Sequence, residues 1–279
     1  MNQDISICVL TENEMGWTEP FELDKVQILD NYYLSAQKSD IAFLKKMDTA
    51  RLLAGFRTTA GIDTKGVRPY GGWEDSLLGG HCVGHYLTAL AQAVKVTGDK
   101  ELKEKSQTLI AGLEECQKKL GTGFLFGAKV EDKEDVEKQF DILEGKKKGE
   151  TWVPWYNMHK VLAGLVDTYK YTGNETALLV AEKLGDWIYE RVSKWDLKTN
   201  QKVLETEYGG MNDCLYELYS YSHNKHHLEA AQKFDEKALF LMAAKGEKNC
   251  LDGKHANTQI PKFIGAIKPV SYTHLRAHE

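Results

Sequence analysis

Four short stretches carry the side chains that bind and orient small polar molecules. The first, YGGWEDSLLGGHCVGHY (70–86), offers Trp73, His81, His85 and Tyr86. The second, WVPWYNMHK (152–160), crowds Trp152, Trp155, Tyr156 and His159 in front of an apolar run, with Pro154 restricting the backbone between them. The third, ETEYGGMND (205–213), sets Glu205 and Glu207 beside Gly209 and Gly210, which permit a tight path, and Asn212 or Asp213, either of which can cap a helix. The fourth, DGKHANTQIPKFIGA (252–266), gathers His255, Asn257, Thr258 and Gln259, with Pro261 where a first helical turn tolerates proline.

Aromatic faces stack on the C–H faces of sugar rings, while amides, imidazoles and carboxylates hydrogen-bond hydroxyls. Apolar walls with a few convergent polar groups are the usual design of a small-ligand pocket. Together the four stretches are the parts of a carbohydrate cleft. Any one ring taken alone reads equally as core packing, and Glu205 reads as a solvated loop acid. His81 and His85 share a helical face four residues apart. No glutamate stands between them in the metalloprotease manner and no third ligand is evident, so a hydrogen-bonded imidazole is expected there and no metal.

The elements that must position these residues repeat along the chain. HYLTALAQAVKVTGDKELKEKSQTLIAGLEECQKKLG reads as helix, turn, helix: Val83, Leu87, Leu90 and Val94 form one stripe, and Leu102, Ser106, Leu109, Leu113, Cys116 and Leu120 another. Gly98 suits a left-handed helix end and Asp99 the cap of the next helix. The pattern returns over 159–195 and 213–246, each time pairing a charge-poor helix with a charge-rich one. Such alternation predicts an inner and an outer helical layer. One helix is expected over 30–56, and the charged segment 131–150 is expected to be a solvated excursion. The TG turns at 97 and 172 lie 75 residues apart and SHN begins 50 residues later, a spacing too uneven for a regular solenoid. Long loops before each inner helix cause it, which favours a ring of hairpins with a working mouth.

Composition sets outer bounds. The 279 residues are 42% hydrophobic and 28% charged with net charge −5, which is ordinary globular material without the basic footprint of a nucleic-acid binder. No apolar run approaches a membrane span, and the opening MNQDISICVLTENEMGW makes a poor secretory signal, so a cytoplasmic location is expected. The five cysteines are scattered without a C-x-x-C pair and read neither as a disulfide framework nor as a zinc cage.

The stretches DTARLLAGFRTTAGI with YGGWE, GHCVGHYLTALAQAVKVTGD, WVPWYNMHKVLAGLVDTY, EYGGMND and HANTQIPK form an ordered series from 21 to 267. That series resembles the N-terminal half of glycoside hydrolase family 127, the β-L-arabinofuranosidase type. The resemblance implies an all-α fold with little or no β-structure, an incomplete (α/α)6 toroid holding about half of the hairpins. It also implies retaining hydrolysis by a zinc-bound cysteine thiolate with a glutamate as general acid/base. Those groups belong downstream of HANTQIPK in the family, and nothing after Ala266 matches. No catalytic or zinc-binding role therefore transfers to a residue of this chain, and zinc is expected only in the full-length family enzyme.

What the resemblance carries over is a substrate pocket: His159, His255, Tyr156 and the EYGGMN loop with Glu207, Gly209, Gly210 and Asn212, while Trp73, His81 and Trp155 are expected in its wall. The implied partners are a plant-derived oligosaccharide or glycoside and the missing C-terminal half, with no nucleic acid or membrane. Residues 1–20 are expected to form an N-terminal segment, 21–268 the partial toroid, and 269–279 a non-native read-through tail. The chain alone is expected to be inactive and prone to associate. The alternative is a helical-repeat module that binds a peptide or protein.

Overall fold

The computed structural model describes residues 20–130, 132–206, 209–248 and 250–275, with side chains to Lys268. Among them it contains twelve α-helices and no strand. In chain order these are α1 (Asn31–Lys46), α2 (Thr49–Thr59), α3 (His81–Thr97), α4 (Lys100–Leu120), α5 (Lys138–Leu143), α6 (Pro154–Thr172), α7 (Glu175–Val192), α8 (Leu197–Thr206), α9 (Met211–Ser222), α10 (Lys225–Lys233), α11 (Lys237–Ala244) and α12 (Ala256–Leu275).

The hairpin punctuation is local chemistry. Gly98, Gly173 and His223 end α3, α6 and α9 in the left-handed conformation. Asp99, Asn174 and Asn224 then cap α4, α7 and α10 by accepting backbone N–H bonds. Each hairpin thus turns back on itself within two residues. The charge-poor helices α3, α6, α9 and α12 pack in succession as an inner layer, and α4, α7 and α10 line up outside them. Both sequence stripes are buried: Val83, Leu87 and Leu90 are inaccessible, as are Leu102, Leu109, Leu113 and Cys116.

The closest approach joins α3 and α6. A Cβ on Gly84 would lie 1.9 Å from the Lys160 carbonyl oxygen, and one on Gly164 2.5 Å from that of Gly84. Only hydrogen fits on either side, so the two backbones touch directly.

Several expectations fail in instructive ways. The single helix over 30–56 is two, because Asp48 folds its carboxylate onto the N–H groups of Ala50 and Arg51 and starts α2 afresh. Within 131–150, expected to be a solvated excursion, the middle is a packed connector with 139, 140, 143 and 144 buried, while 145–150 are exposed and 131 lies outside the described residues. Phe140 and Leu143 of α5 are buried, and Glu137, Asp141 and Glu144 converge on Arg191 of α7. Its charge run was legible, but the single arginine that would gather it, about fifty residues on, was not.

Pro261 lies in the sixth position of α12 instead of its first turn, and α12 runs as helix to Leu275. Neither Asn212 nor Asp213 caps α9; Gly210, at φ 93°, does so without a side chain.

Candidate carbohydrate cleft

Antiparallel hairpins put the N-terminal ends of the inner helices, and the connectors that precede them, on one face. A cleft of about 570 Å³ opens there. Its apolar wall includes Trp73, Trp152 and Tyr156, and its polar wall includes His81, Glu205 and the α12 entrance residues His255, Asn257, Thr258 and Gln259. Trp73 and Trp152 are 66% and 48% exposed, so their faces are available. Tyr156 and Trp73 flank the His81 ring with centroids 6.1 and 6.3 Å away.

His81 is the most constrained of these groups. Glu74 reaches back from the preceding turn and accepts the backbone N–H groups of Gly80 and Cys82, at 2.9 and 3.2 Å, capping α3 from outside the helix. The same carboxylate lies 2.8 Å from His81 Nδ1, which also approaches the Leu78 carbonyl at 2.8 Å. Both neighbours are acceptors, so Nδ1 carries hydrogen, and Nε2 stands 3.9 Å from the Cys82 sulfur. Burial by itself pushes the imidazole down, but its hydrogen bonds to Cys82 and Glu74 outweigh that and bring it up to about 10. Burial pushes the Glu74 carboxyl up, while His81 and the helix N–H groups hold it below 4.5. The outcome is a fixed imidazolium in the cleft wall.

Trp73, His81, Tyr156 and His255 come together as expected neighbours. Trp155 does not join them. It is fully buried against Phe140, Trp195 and Phe234, with ring centroids 4.9 to 5.5 Å away. His159, 6% exposed, shares that inward side of α6 because it lies one turn further along. Burial pushes its pKa well below 6.5, so the ring is neutral. A Cβ on Gly210 would sit 2.9 Å from the His159 ring, which explains why glycine stands there. A Cβ on Gly209 would likewise lie 3.2 Å from the Asn257 carbonyl oxygen at the start of α12.

Asn212 is wholly buried and donates to Asp235 and to the Lys262 carbonyl, both at 3.1 Å, pinning α9 to α12 beneath the mouth. Glu207 lies outside the described residues. Trp155, His159, Gly209, Gly210 and Asn212 thus form the bed under the cleft, not its lining. Conversely, Trp152, Glu205, Asn257, Thr258 and Gln259 line it. Their polarity next to an apolar run was the available signal.

Among the described residues one group of three metal-type ligands gathers within 4.8 Å: Glu74, His81 and Cys82. Glu74 is already engaged by two N–H groups and His81, so the group is complete as a helix cap without an ion. His85 is not in it; its ring meets His81 edge-on at 6.2 Å. Cys116 and Cys214 are buried, and burial raises both thiols, Cys116 to about 12.

The family model for the β-L-arabinofuranosidase GH127 catalytic domain matches residues 25–277. The chain belongs to glycoside hydrolase family 127. No curated protein matches the sequence. Among solved structures, a GH127 β-L-arabinofuranosidase from Geobacillus stearothermophilus T6 superposes with a TM-score of 0.53 at 16% identity. The match covers 80% of this chain and 35% of that one, so this GH127 chain spans about a third of its relative. At that identity the likeness establishes the shared helical toroid fold.

Proposed function

We propose that the cleft holds a terminal L-arabinofuranosyl or related sugar, and that the chain is part of a retaining glycosidase acting on plant-derived glycans. Membership of the GH127 family supports the reaction class. The observation that carries the ligand reading is the convergence of Trp73, Trp152 and Tyr156 with His81, His255, Asn257, Thr258 and Gln259 around one opening.

Within that reading the aromatic faces stack on the sugar's C–H surface. The His81 imidazolium, held by Glu74, donates to a hydroxyl or ring oxygen, and the α12 entrance amides read the remaining hydroxyls. A charge-assisted donor that needs no reorganisation orients the ring at little entropic cost. No chemical step is assigned to these residues. In the family, zinc activates the attacking thiolate, and the residues for that role are not assembled among those described. Activity of this chain without them is expected to be absent.

The test is titration of intrinsic tryptophan fluorescence with L-arabinose and with an L-arabinofuranoside. Saturable quenching is expected, weakened about tenfold or more by Trp73→Ala or His255→Ala. Quenching by neither sugar, or equal quenching of wild type and both variants, would remove the cleft from sugar binding. Trp155→Ala is expected instead to lower stability by about 3–5 kcal/mol, as a core deletion.

A further inference from the structure

A sulfur stands at the edge of the sugar cleft. Cys82 is the second residue of α3, partly exposed and in no disulfide, and its sulfur lies 3.9 Å from His81 Nε2. His81 lines the cleft, and on the other side of its ring Nδ1 meets Glu74 at 2.8 Å. Carboxylate, imidazole and sulfur thus follow one another in hydrogen-bond order. The Nδ1 hydrogen is committed to Glu74 and the Leu78 carbonyl, which leaves the Nε2 hydrogen of the imidazolium for the sulfur.

Each part of this arrangement favours reaction at sulfur. Sulfur nucleophiles are activated beside a cationic imidazole, and again at the first turn of a helix, where the backbone dipole is positive. The imidazole must be fixed in orientation and charge to do this, and Glu74 fixes both. The other cysteines supply a contrast within the molecule. Cys116 and Cys214 are buried, and burial pushes both thiols up, Cys116 to about 12. Cys250 is partly exposed like Cys82, but no imidazole or other hydrogen-bond partner stands at its sulfur among the described residues.

We propose that Cys82 is a reversible modification site for small-molecule disulfides, and that the group it takes up closes the cleft at His81. In the exchange, the Cys82 sulfur releases its proton to solvent and attacks one sulfur of the disulfide. The reagent's S–S bond breaks, a new one forms to Cys82, and the other half leaves as a thiolate that takes up a proton. Cys82 is oxidised and the small disulfide reduced; excess small thiol reverses the step. The attached group stands where the Nε2 hydrogen would meet a sugar, in a cleft of about 570 Å³, so sugar entry follows the redox state of the surroundings. The closure, unlike the exchange, rests on the sugar-binding reading of the cleft.

Treatment of the full chain with glutathione disulfide at pH 7, quenched at intervals and read peptide by peptide by mass spectrometry, tests the exchange. Cys82 is expected to react about tenfold or more faster than Cys250, while Cys116 and Cys214 remain unmodified. Glu74→Gln is expected to slow Cys82 about fivefold or more and leave Cys250 unchanged, with continued protection of Cys116 and Cys214 showing that the variant is folded. Cys82 reacting no faster than Cys250 in the wild-type chain overturns the proposal. The closure is read from L-arabinose quenching of tryptophan fluorescence. The mixed disulfide is expected to weaken binding about tenfold and dithiothreitol to restore it, while Cys82→Ser binds like the untreated wild type before and after treatment. Rapid exchange at Cys82 with sugar binding intact overturns the closure. Rapid exchange in a chain that binds no sugar in either form supports the modification site and overturns the sugar reading.

Discussion

Glu74 serves two purposes at once: it closes the open N-terminus of α3 and fixes the imidazole that faces the ligand cleft. A carboxylate at that position also complements the positive end of the helix. Because His81 is raised from 6.5 to about 10 and Glu74 is held below 4.5 in the folded protein, the pair contributes its full stability between about pH 4.5 and 6.5. That contribution declines above this window and is lost as pH rises through about 10. Glu74→Gln is expected to bring the His81 pKa down, read from its imidazole proton resonances against pH, and to weaken sugar binding near neutrality. A His81 resonance that titrates alike in both proteins would show that the carboxylate does not hold the charge. His159 makes the contrast: buried without a counter-charge, it is held neutral, and its resonances are expected to titrate only well below pH 6.5.

At the scale of elements, the mouth depends on how closely α3 and α6 approach. Their contact at Gly84 and Gly164 leaves no room for a methyl group, and the stretches that begin these two helices supply His81 and Tyr156. Gly84→Ala is therefore expected to cost about 3 kcal/mol or more, measured by chemical denaturation, because backbone and not a pliable side chain blocks the added atom. Gly98→Ala, where nothing lies within 4 Å, meets only the penalty of its left-handed conformation, about 1 kcal/mol. An equal loss at the two sites would refute the close-contact account. The same helical geometry sorts the aromatic cluster at 152–159. Trp155 and His159 fall on one side and turn inward, while Tyr156 lies about 100° round the helix and reaches the cleft.

Across the whole molecule, buried ion clusters tie the layers together. Arg191 on α7 binds Glu137, Asp141 and Glu144 of the long connector, and Glu137 also accepts the Trp187 indole N–H at 3.0 Å. Glu217 of α9 pairs with Lys170 of α6 and Lys268 of α12, joining three inner helices. Burial raises the Asp141 and Glu217 carboxyls, but their cationic partners hold both below the ordinary range. Their stabilisation is thus present above about pH 4.5 and lost as pH falls through their folded values. Arg191→Met strands buried carboxylates and is expected to cost about 3–5 kcal/mol at pH 7. The deficit relative to wild type is expected to shrink toward pH 4 as those carboxylates take up protons, followed by urea denaturation across that range. A deficit independent of pH would assign Arg191 a packing role instead.

The sequence alone determined what is local and periodic. Hairpin ends, caps and buried stripes follow from contacts within a few residues, so Gly98, Asp99 and the Val83–Leu90 face were legible from residue type and spacing. The family was legible too, because its motifs recur in order. The tertiary structure decided which side chains of each motif face the ligand. Trp155, His159 and Asn212 share their short stretches with cleft residues, yet helix rotation and the burial demands of neighbouring layers turn them inward. The folding of charged 137–144 onto Arg191 was likewise beyond local reading, since its partner is distant in sequence. Spacing specifies a face of a helix; only the packing of the other helices specifies what that face meets.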